Sequence, residues 1–338
     1  MKRFLVILFS VMSGISILYA SGPDTDPKIA GLQARIDQLS EKGDYATVFQ
    51  LRKQLADYAA GNGKYELAAR QYELLLASRP PRAERVKLFT KLGYMRMALG
   101  DYRGAIAAYD DALHDGPKDW DANIARARAF AAAEINQRAI ESYQQCIKLK
   151  PREAAPYAEL GQVYEKQGFL GKALDQYSRA LALEPKPETY LHMADCYVHQ
   201  KNITEAIQIL SQAKSRLPRA EYDVRLGEIY QNLGDIERAS SAWEDAIRAD
   251  PKRDDVKLRL ALVYASNRHP QEADRLMRGP LSNYPDSPVV HYIHALVLLD
   301  RGDRGGAQKE AQSVQTLGPT ELVEHYNDLL ISELRKGS

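Results

Sequence analysis

From residue 154 to residue 186, apolar positions recur at three- and four-residue steps in two runs with a glycine between them. Tyr157, Leu160, Gly161 and Tyr164 make the first run; Leu170, Ala173, Leu174, Tyr177, Ala180 and Leu181 make the second. That spacing gathers the side chains on one stripe of a helix. Gly168 separates the runs, as suits the left-handed residue that ends many helices. Pro185 closes the second run, because proline cannot continue a helix and drives the residue before it toward extended angles. The pattern predicts two antiparallel helices joined by a tight turn.

The same unit recurs along the chain. An alanine followed twelve residues later by a proline occurs as Ala68/Pro80, Ala105/Pro117, Ala139/Pro151, Ala173/Pro185, Ala206/Pro218, Ala239/Pro251, Ala273/Pro285 and Ala307/Pro319. Twelve positions before each alanine stands another small residue: Ala56, Gly93, Ala127, Gly161, Ala194, Gly227, Ala261 and Ala295. Consecutive prolines lie 33 or 34 residues apart, with one interval of 37. A period near 34 marks a helical solenoid, since one hairpin cannot bury its own apolar face and must stack on neighbours. Gly161 and Ala173 are expected where the two backbones of a hairpin approach closely. Tyr164 and Tyr177 are expected where bulk fills the space toward the next unit.

These residues resemble the tetratricopeptide repeat, whose pattern is a large residue and Leu-Gly, then Tyr, Ala, an aromatic, Ala and Pro. The resemblance covers roughly residues 46–319. It implies an all-α fold, a right-handed α-solenoid of about eight helix hairpins with capping helices at both ends. No Gly/Ser/Pro-rich linker breaks the period, so one continuous solenoid is expected. Within an N-terminal segment, 21–45, Asp26 and Pro27 read as the cap and first residue of a helix carrying Ile29, Leu32, Ile36 and Leu39. The C-terminal cap, 320–338, carries Leu322, Val323, Tyr326, Leu329, Leu330 and Leu334, with Glu321 and Glu324 at the positive end of the helix dipole. Departures from the family pattern are Arg96 for Tyr, and Arg126 and His294 for Leu. Gly279-Pro280 falls inside the second helix of the seventh repeat. An interior proline costs about 3 kcal/mol, so that helix is expected to end early or kink.

The first twenty residues differ from everything after them. Met1-Lys2-Arg3 is basic, Phe4 to Ala20 carries no charge, and Ser21-Gly22-Pro23-Asp24 turns polar. This is the layout of a bacterial-type secretory signal over residues 1–20, and Ala20 suits the last position before cleavage. The alternative is an uncleaved anchor in the inner membrane with the repeats facing the periplasm, since about 17 apolar residues is the lower limit for a span. Either way the chain is expected to be exported, to the periplasm or beyond.

Charge and chemistry narrow the function further. The chain has 46 basic and 45 acidic residues, which gives no general drive toward nucleic acid or an anionic membrane. Cys146 and Cys196 lie two units apart, too far for a disulfide, and read as small apolar core residues. His192, Cys196 and His199 fall on one helical face beside Asp195, but no distant pair completes a four-ligand metal set. His291 and His294 are three apart, but His294 stands in a core leucine column and reads as a satisfied buried histidine. No nucleophile elbow, metalloprotease helix or phosphate loop occurs, so neither an enzyme nor a cofactor protein is expected.

The family resemblance implies that the first helix of each unit lines a concave surface. Matched position by position, that surface presents Lys53, Lys87, Tyr94 and Arg128, then Gln162, Glu165, Glu188, Asp195, Glu221 and Glu228, then Leu258, Leu262, Tyr292 and Leu296. Basic, acidic and apolar stretches follow one another, though each charge taken alone is an ordinary solvated helix position. The Lys/Asn clamp that some members use for an acidic peptide C-terminus is absent. The expected function is an exported scaffold that holds a peptide or partner subunit in a cell-envelope complex, such as secretion, pilus, polysaccharide export or outer-membrane assembly. The alternative is a structural protein that assembles with copies of itself.

Overall fold

The computed structural model describes residues 26–267 and 269–336, and the expected signal or anchor of residues 1–20 lies outside them. Among the described residues there are eighteen helices and no strand. None of these helices is long and apolar enough to cross a membrane. The chain divides into two compact units, with the boundary between Cys196 and Tyr197. The span 46–319, expected as one run of repeats, falls across both.

The first unit holds α1 (Pro27–Glu41), α2 (Tyr45–Gly61), α3 (Tyr65–Ala77), α4 (Arg82–Ala98), α5 (Tyr102–Asp115), α6 (Trp120–Ala132), α7 (Asn136–Leu149), α8 (Ala154–Lys166), α9 (Leu170–Leu183) and most of α10 (Pro187–His199). The second holds α11 (Ile203–Ala213), α12 (Arg219–Asn232), α13 (Ile236–Ala249), α14 (Asp254–Ser266), α15 (Pro270–Asn283), α16 (Pro288–Asp300), α17 (Arg304–Thr316) and α18 (Glu321–Lys336). Within the first unit α2/α3, α4/α5, α6/α7 and α8/α9 pair as hairpins in the predicted register, and within the second α12/α13, α14/α15 and α16/α17 do so, with α1 and α18 as the end caps.

Local chemistry starts and stops these helices. Asp26, Asp44, Asp101, Asp119, Asp235 and Asp303 each accept a backbone N–H of the first helical turn, a cap worth about 0.5–2 kcal/mol. Among the described residues the turn residue within a hairpin is left-handed: Gly168 sits at φ 76°, where a side chain would be strained. The equivalent turns before α7 and α11 instead place Glu134 and Lys201 at φ 58° and 63°.

All eight repeat alanines, from Ala68 to Ala307, are 0 % exposed. The large-residue column, Tyr72, Tyr109, Tyr143, Tyr177, Leu210, Trp243, Met277 and Ala311, is buried throughout. Gly161 is small for a different reason from the one expected. A β-carbon there would lie 2.5 Å from the Tyr177 ring, so the ring of the same hairpin, and not the opposing backbone, claims the space. Gly93 faces Tyr109 and Gly227 faces Trp243 in the same way, at 2.3 and 2.4 Å.

Two expectations are corrected. Helix α15 does not end at Pro280; it runs on to Asn283, and the Tyr284 N–H bonds to the Pro280 carbonyl. Proline removes one N–H but leaves its own carbonyl free to accept, and the end of this helix is tied from outside. The buried Asp254 carboxylate at the start of α14 accepts from Asn283 Nδ2 at 2.6 Å and from Lys257 Nζ at 2.8 Å. In α18, Leu329 is 43 % exposed, while Val323, Leu330 and Leu334 enter the core. The three departures from the family pattern carry polar partners: Arg96 reaches Glu73, Arg126 reaches Asp110, and His294 lies 3.3 Å from Glu310.

Candidate functional site

The first helices of successive hairpins carry the residues expected to meet a partner. In the first unit they are joined by polar bridges from one repeat to the next. Lys53 Nζ on α2 donates to Glu84 on α4 at 2.5 Å, and Lys91 Nζ on α4 donates to Asp57 on α2 at 2.6 Å. Arg128 on α6 grips Glu159 on α8 with both branches, at 2.6 and 2.9 Å. Gln162 on α8 meets the His192 ring on α10 at 3.0 Å. The Glu159 hydrogen bonds outweigh the desolvation of Arg128 and raise its pKa. Burial works against the Asp57 charge, yet the bonds from Lys91 and Tyr72 hold its carboxyl below the usual carboxylate range.

Glu165 is the centre of a tighter group. Its Oε2 accepts from the Tyr177 hydroxyl at 2.5 Å and lies 3.2 Å from His192 Nδ1, and the His192 ring stacks on Tyr177 at 5.7 Å. Burial, then the Glu165 bond, push the Tyr177 phenol well above its ordinary value. Tyr94 is 40 % exposed and meets Tyr109 edge-on at 5.8 Å. Lys87 is exposed and lines a shallow depression with Arg82, Val86, Pro117 and Lys118. Glu188 is exposed and Asp195 half-buried.

In the second unit the two acids are enclosed by arginines. Glu221 lies 3.2 Å from both Arg225 and Arg253; Glu228 lies 3.2 Å from Arg225 and 2.9 Å from Arg259. Leu258, Leu262 and Tyr292 are buried in one apolar cluster, against which Leu296 packs half-buried. An apolar binding stretch built from the first three is therefore corrected to core, since they are enclosed in a cluster shared by α14, α16 and α18. Glu188 and Asp195 belong to the first unit, Glu221 and Glu228 to the second.

Both cysteines are free and fully buried, which pushes the Cys146 thiol up to about 11 and the Cys196 thiol to about 12. Among the described residues no group of three or more His, Cys, Asp or Glu side chains could hold a metal ion. His192 turns to Gln162 and Glu165, while Cys196 is enclosed.

Sequence reasoning missed the partners Glu84, Lys91, Glu159, Arg225, Arg253 and Arg259. A signal for them exists in the spacing. Lys53/Glu84, Arg128/Glu159 and Glu228/Arg259 are each 31 residues apart, and Gln162/His192 and Glu221/Arg253 are 30 and 32 apart. Position i of one first helix faces position i+31 of the next, roughly one repeat less one helical turn.

The chain belongs to the tetratricopeptide repeat family, whose profile matches residues 90–157, 158–221 and 224–288, more than half of the chain. Proteins of this family mediate protein–protein interactions. The chain is 20 % identical over 230 residues to BBSome complex member BBS4 of Bos taurus, covering 67 % of this chain and 44 % of that protein. It is 27 % identical over 200 residues to cellulose synthase operon protein C of Xanthomonas axonopodis pv. citri (strain 306), covering 55 % of this chain and 13 % of that protein. The chain thus spans less than half the length of these relatives. A tetratricopeptide repeat protein from Parabacteroides merdae ATCC 43184 superposes with a TM-score of 0.54 at 13 % identity, over 73 % of this chain and 99 % of that one.

Proposed function

We propose that the protein is an exported scaffold that holds a peptide segment or partner subunit on the first-helix faces of its hairpins, within a cell-envelope complex. The observation that carries the export half is the N-terminal sequence: a basic start, then Phe4 to Ala20 without a charge. The tandem hairpins support the binding half, since stacked units make an extended surface without a catalytic pocket. Similarity to a cellulose synthase operon protein is in keeping with a polysaccharide-related setting. On these faces the contact residues are those left at the surface, such as Lys87, Tyr94 and Glu188, with Arg128, Gln162, Glu165, Asp195 and Leu296 at their margins. The role requires no catalysis, cofactor or nucleic acid.

Three experiments test the reading. Deleting residues 1–20 leaves a soluble helical protein in the cytoplasm of a bacterial host; recovery of the truncated chain from the periplasm or membrane overturns the export assignment. Affinity capture from envelope extracts, followed by mass spectrometry, returns a partner whose retention falls in a Lys87→Glu/Tyr94→Ala variant. Retention unchanged in that variant moves the contact to another face. Light scattering on the mature chain reports a concentration-independent monomer; concentration-dependent growth instead favours a self-assembling structural protein.

A further inference from the structure

The eighth hairpin holds a charged cluster that the binding role does not use. His291 on α16 places both ring nitrogens against acceptors. Its Nδ1 lies 2.5 Å from Glu310 Oε2 on α17, and its Nε2 lies 2.7 Å from the carbonyl oxygen of Pro285, in the loop that enters α16. A carbonyl and a carboxylate have no proton to give, so both nitrogens must carry one for both contacts to be hydrogen bonds. A neutral imidazole would aim a lone pair at one of the two oxygens. The geometry therefore selects the imidazolium, and charge-assisted bonds of this kind are about twice as strong as neutral ones.

We infer that His291, bridged between Glu310 and Pro285, is a pH-sensitive clasp that holds the last hairpin closed while its ring is charged and loosens it as pH rises. The bridge joins three parts of the second unit at once: the loop after α15, α16 and α17. His294, one turn further along α16, lies 3.3 Å from the other Glu310 oxygen and 3.8 Å from Asp274 on α15. The charged groups around the pair are Glu310 from α17, Asp274 from α15, Asp286 from the loop, and Arg301 and Asp303 after α16. Helices α14 and α18 also pack on α16, and bring Leu258, Leu262, Val323 and Leu330 to the shared apolar cluster. Carboxylates outnumber the one arginine, so a charged ring is favoured.

The direction of the pH effect follows. Burial opposes charge on His291, but the bonds to Glu310 and Pro285 outweigh it and hold the imidazole above its ordinary 6.5. A raised folded-state value means the stabilisation is fully present below about 6.5, the ordinary unfolded value, and is lost as pH climbs through the folded-state value. The clasp is closed below about pH 6.5 and opens as pH climbs through the raised value of the folded state.

The test is hydrogen exchange on the full chain, read by mass spectrometry as protection factors at pH 6 and pH 8.5. Wild type is expected to lose protection across residues 285–316 on going alkaline, while His291→Gln and Glu310→Gln give the same protection at both pH values. A wild-type slope that persists in both variants, or no slope at all, overturns the clasp. A second readout needs no variant: nitrogen shifts of the His291 ring at pH 6 should show both nitrogens protonated, and a neutral tautomer there refutes it.

Discussion

Arg259 Nη1 donates to Glu228 Oε1 at 2.9 Å across neighbouring repeats, while Arg225 approaches the second carboxylate oxygen at 3.2 Å. Glu228 thus sits on the face expected to read a partner's charge, but its own field is already answered by two guanidinium groups. The same holds for Glu221 between Arg225 and Arg253. Acidic positions on this unit serve cohesion between first helices before they can serve recognition.

The cohesive role predicts a stability cost. Exposed ion pairs are worth about 0–1 kcal/mol, whereas removing one member of a half-buried set leaves its partner unpaired at about 1–3 kcal/mol. Glu221→Ala/Glu228→Ala should lower the thermal midpoint of the second unit, and a double-mutant cycle of Glu228 with Arg259 should show coupling. Strict additivity in that cycle, at low and high salt, means the bridge contributes nothing.

Gly161 and Tyr177 should behave as one site. Adding a methyl at 161 forces the ring aside, an overpacking cost of about 1–3 kcal/mol. Gly161→Ala in a Tyr177→Leu background should cost less than in wild type, since the smaller side chain vacates the space. The fifth repeat already pairs an alanine and a leucine at these positions, Ala194 and Leu210. Equal losses in both backgrounds, measured by thermal denaturation, would refute the contact.

Glu134 supplies a gain. It stands left-handed at φ 58° where other repeats use glycine, a conformation costing a non-glycine residue about 1–2 kcal/mol. Glu134→Gly should stabilise the first unit by up to about 1 kcal/mol, because the strain it relieves exceeds the extra chain entropy that glycine loses on folding. A lower melting temperature in this variant is the contrary outcome.

The thiols report unfolding of the first unit. With Cys146 held at about 11 and Cys196 at about 12 by burial, both are neutral at pH 8, and only the thiolate reacts with alkylating agents. Native protein should label slowly at pH 8 and both sites should react promptly in denaturant. Rapid native labelling at either site contradicts the enclosed geometry.

Much of this fold was legible because its grammar is local. Asp26, Gly168 and Pro185 mark helix ends through their own backbone preferences, and the Ala68-to-Ala307 column follows from helical periodicity alone. Leu329 shows the limit of that reasoning. It fits the apolar spacing of α18, yet faces outward, because a cap helix has a neighbour on one side only. Pro280 shows it again: a local rule ends the helix, and Asp254, some 29 residues away, secures Asn283 beyond it.

The hairpin, its caps, its period and its small and large columns were all written in the chain, since each helix and turn follows from neighbouring residues and the period from their repetition. Which charges are answered depends on the packing of one repeat against the next. Glu228 and Arg259 are 31 residues apart and become neighbours only when two first helices lie side by side. Leu258 and Tyr292 likewise read as surface from their column, but the packing of α14, α16 and α18 encloses them. Burial and electrostatic pairing are properties of distances between helices, and those distances are set by how the side chains of separate repeats fill the space between them.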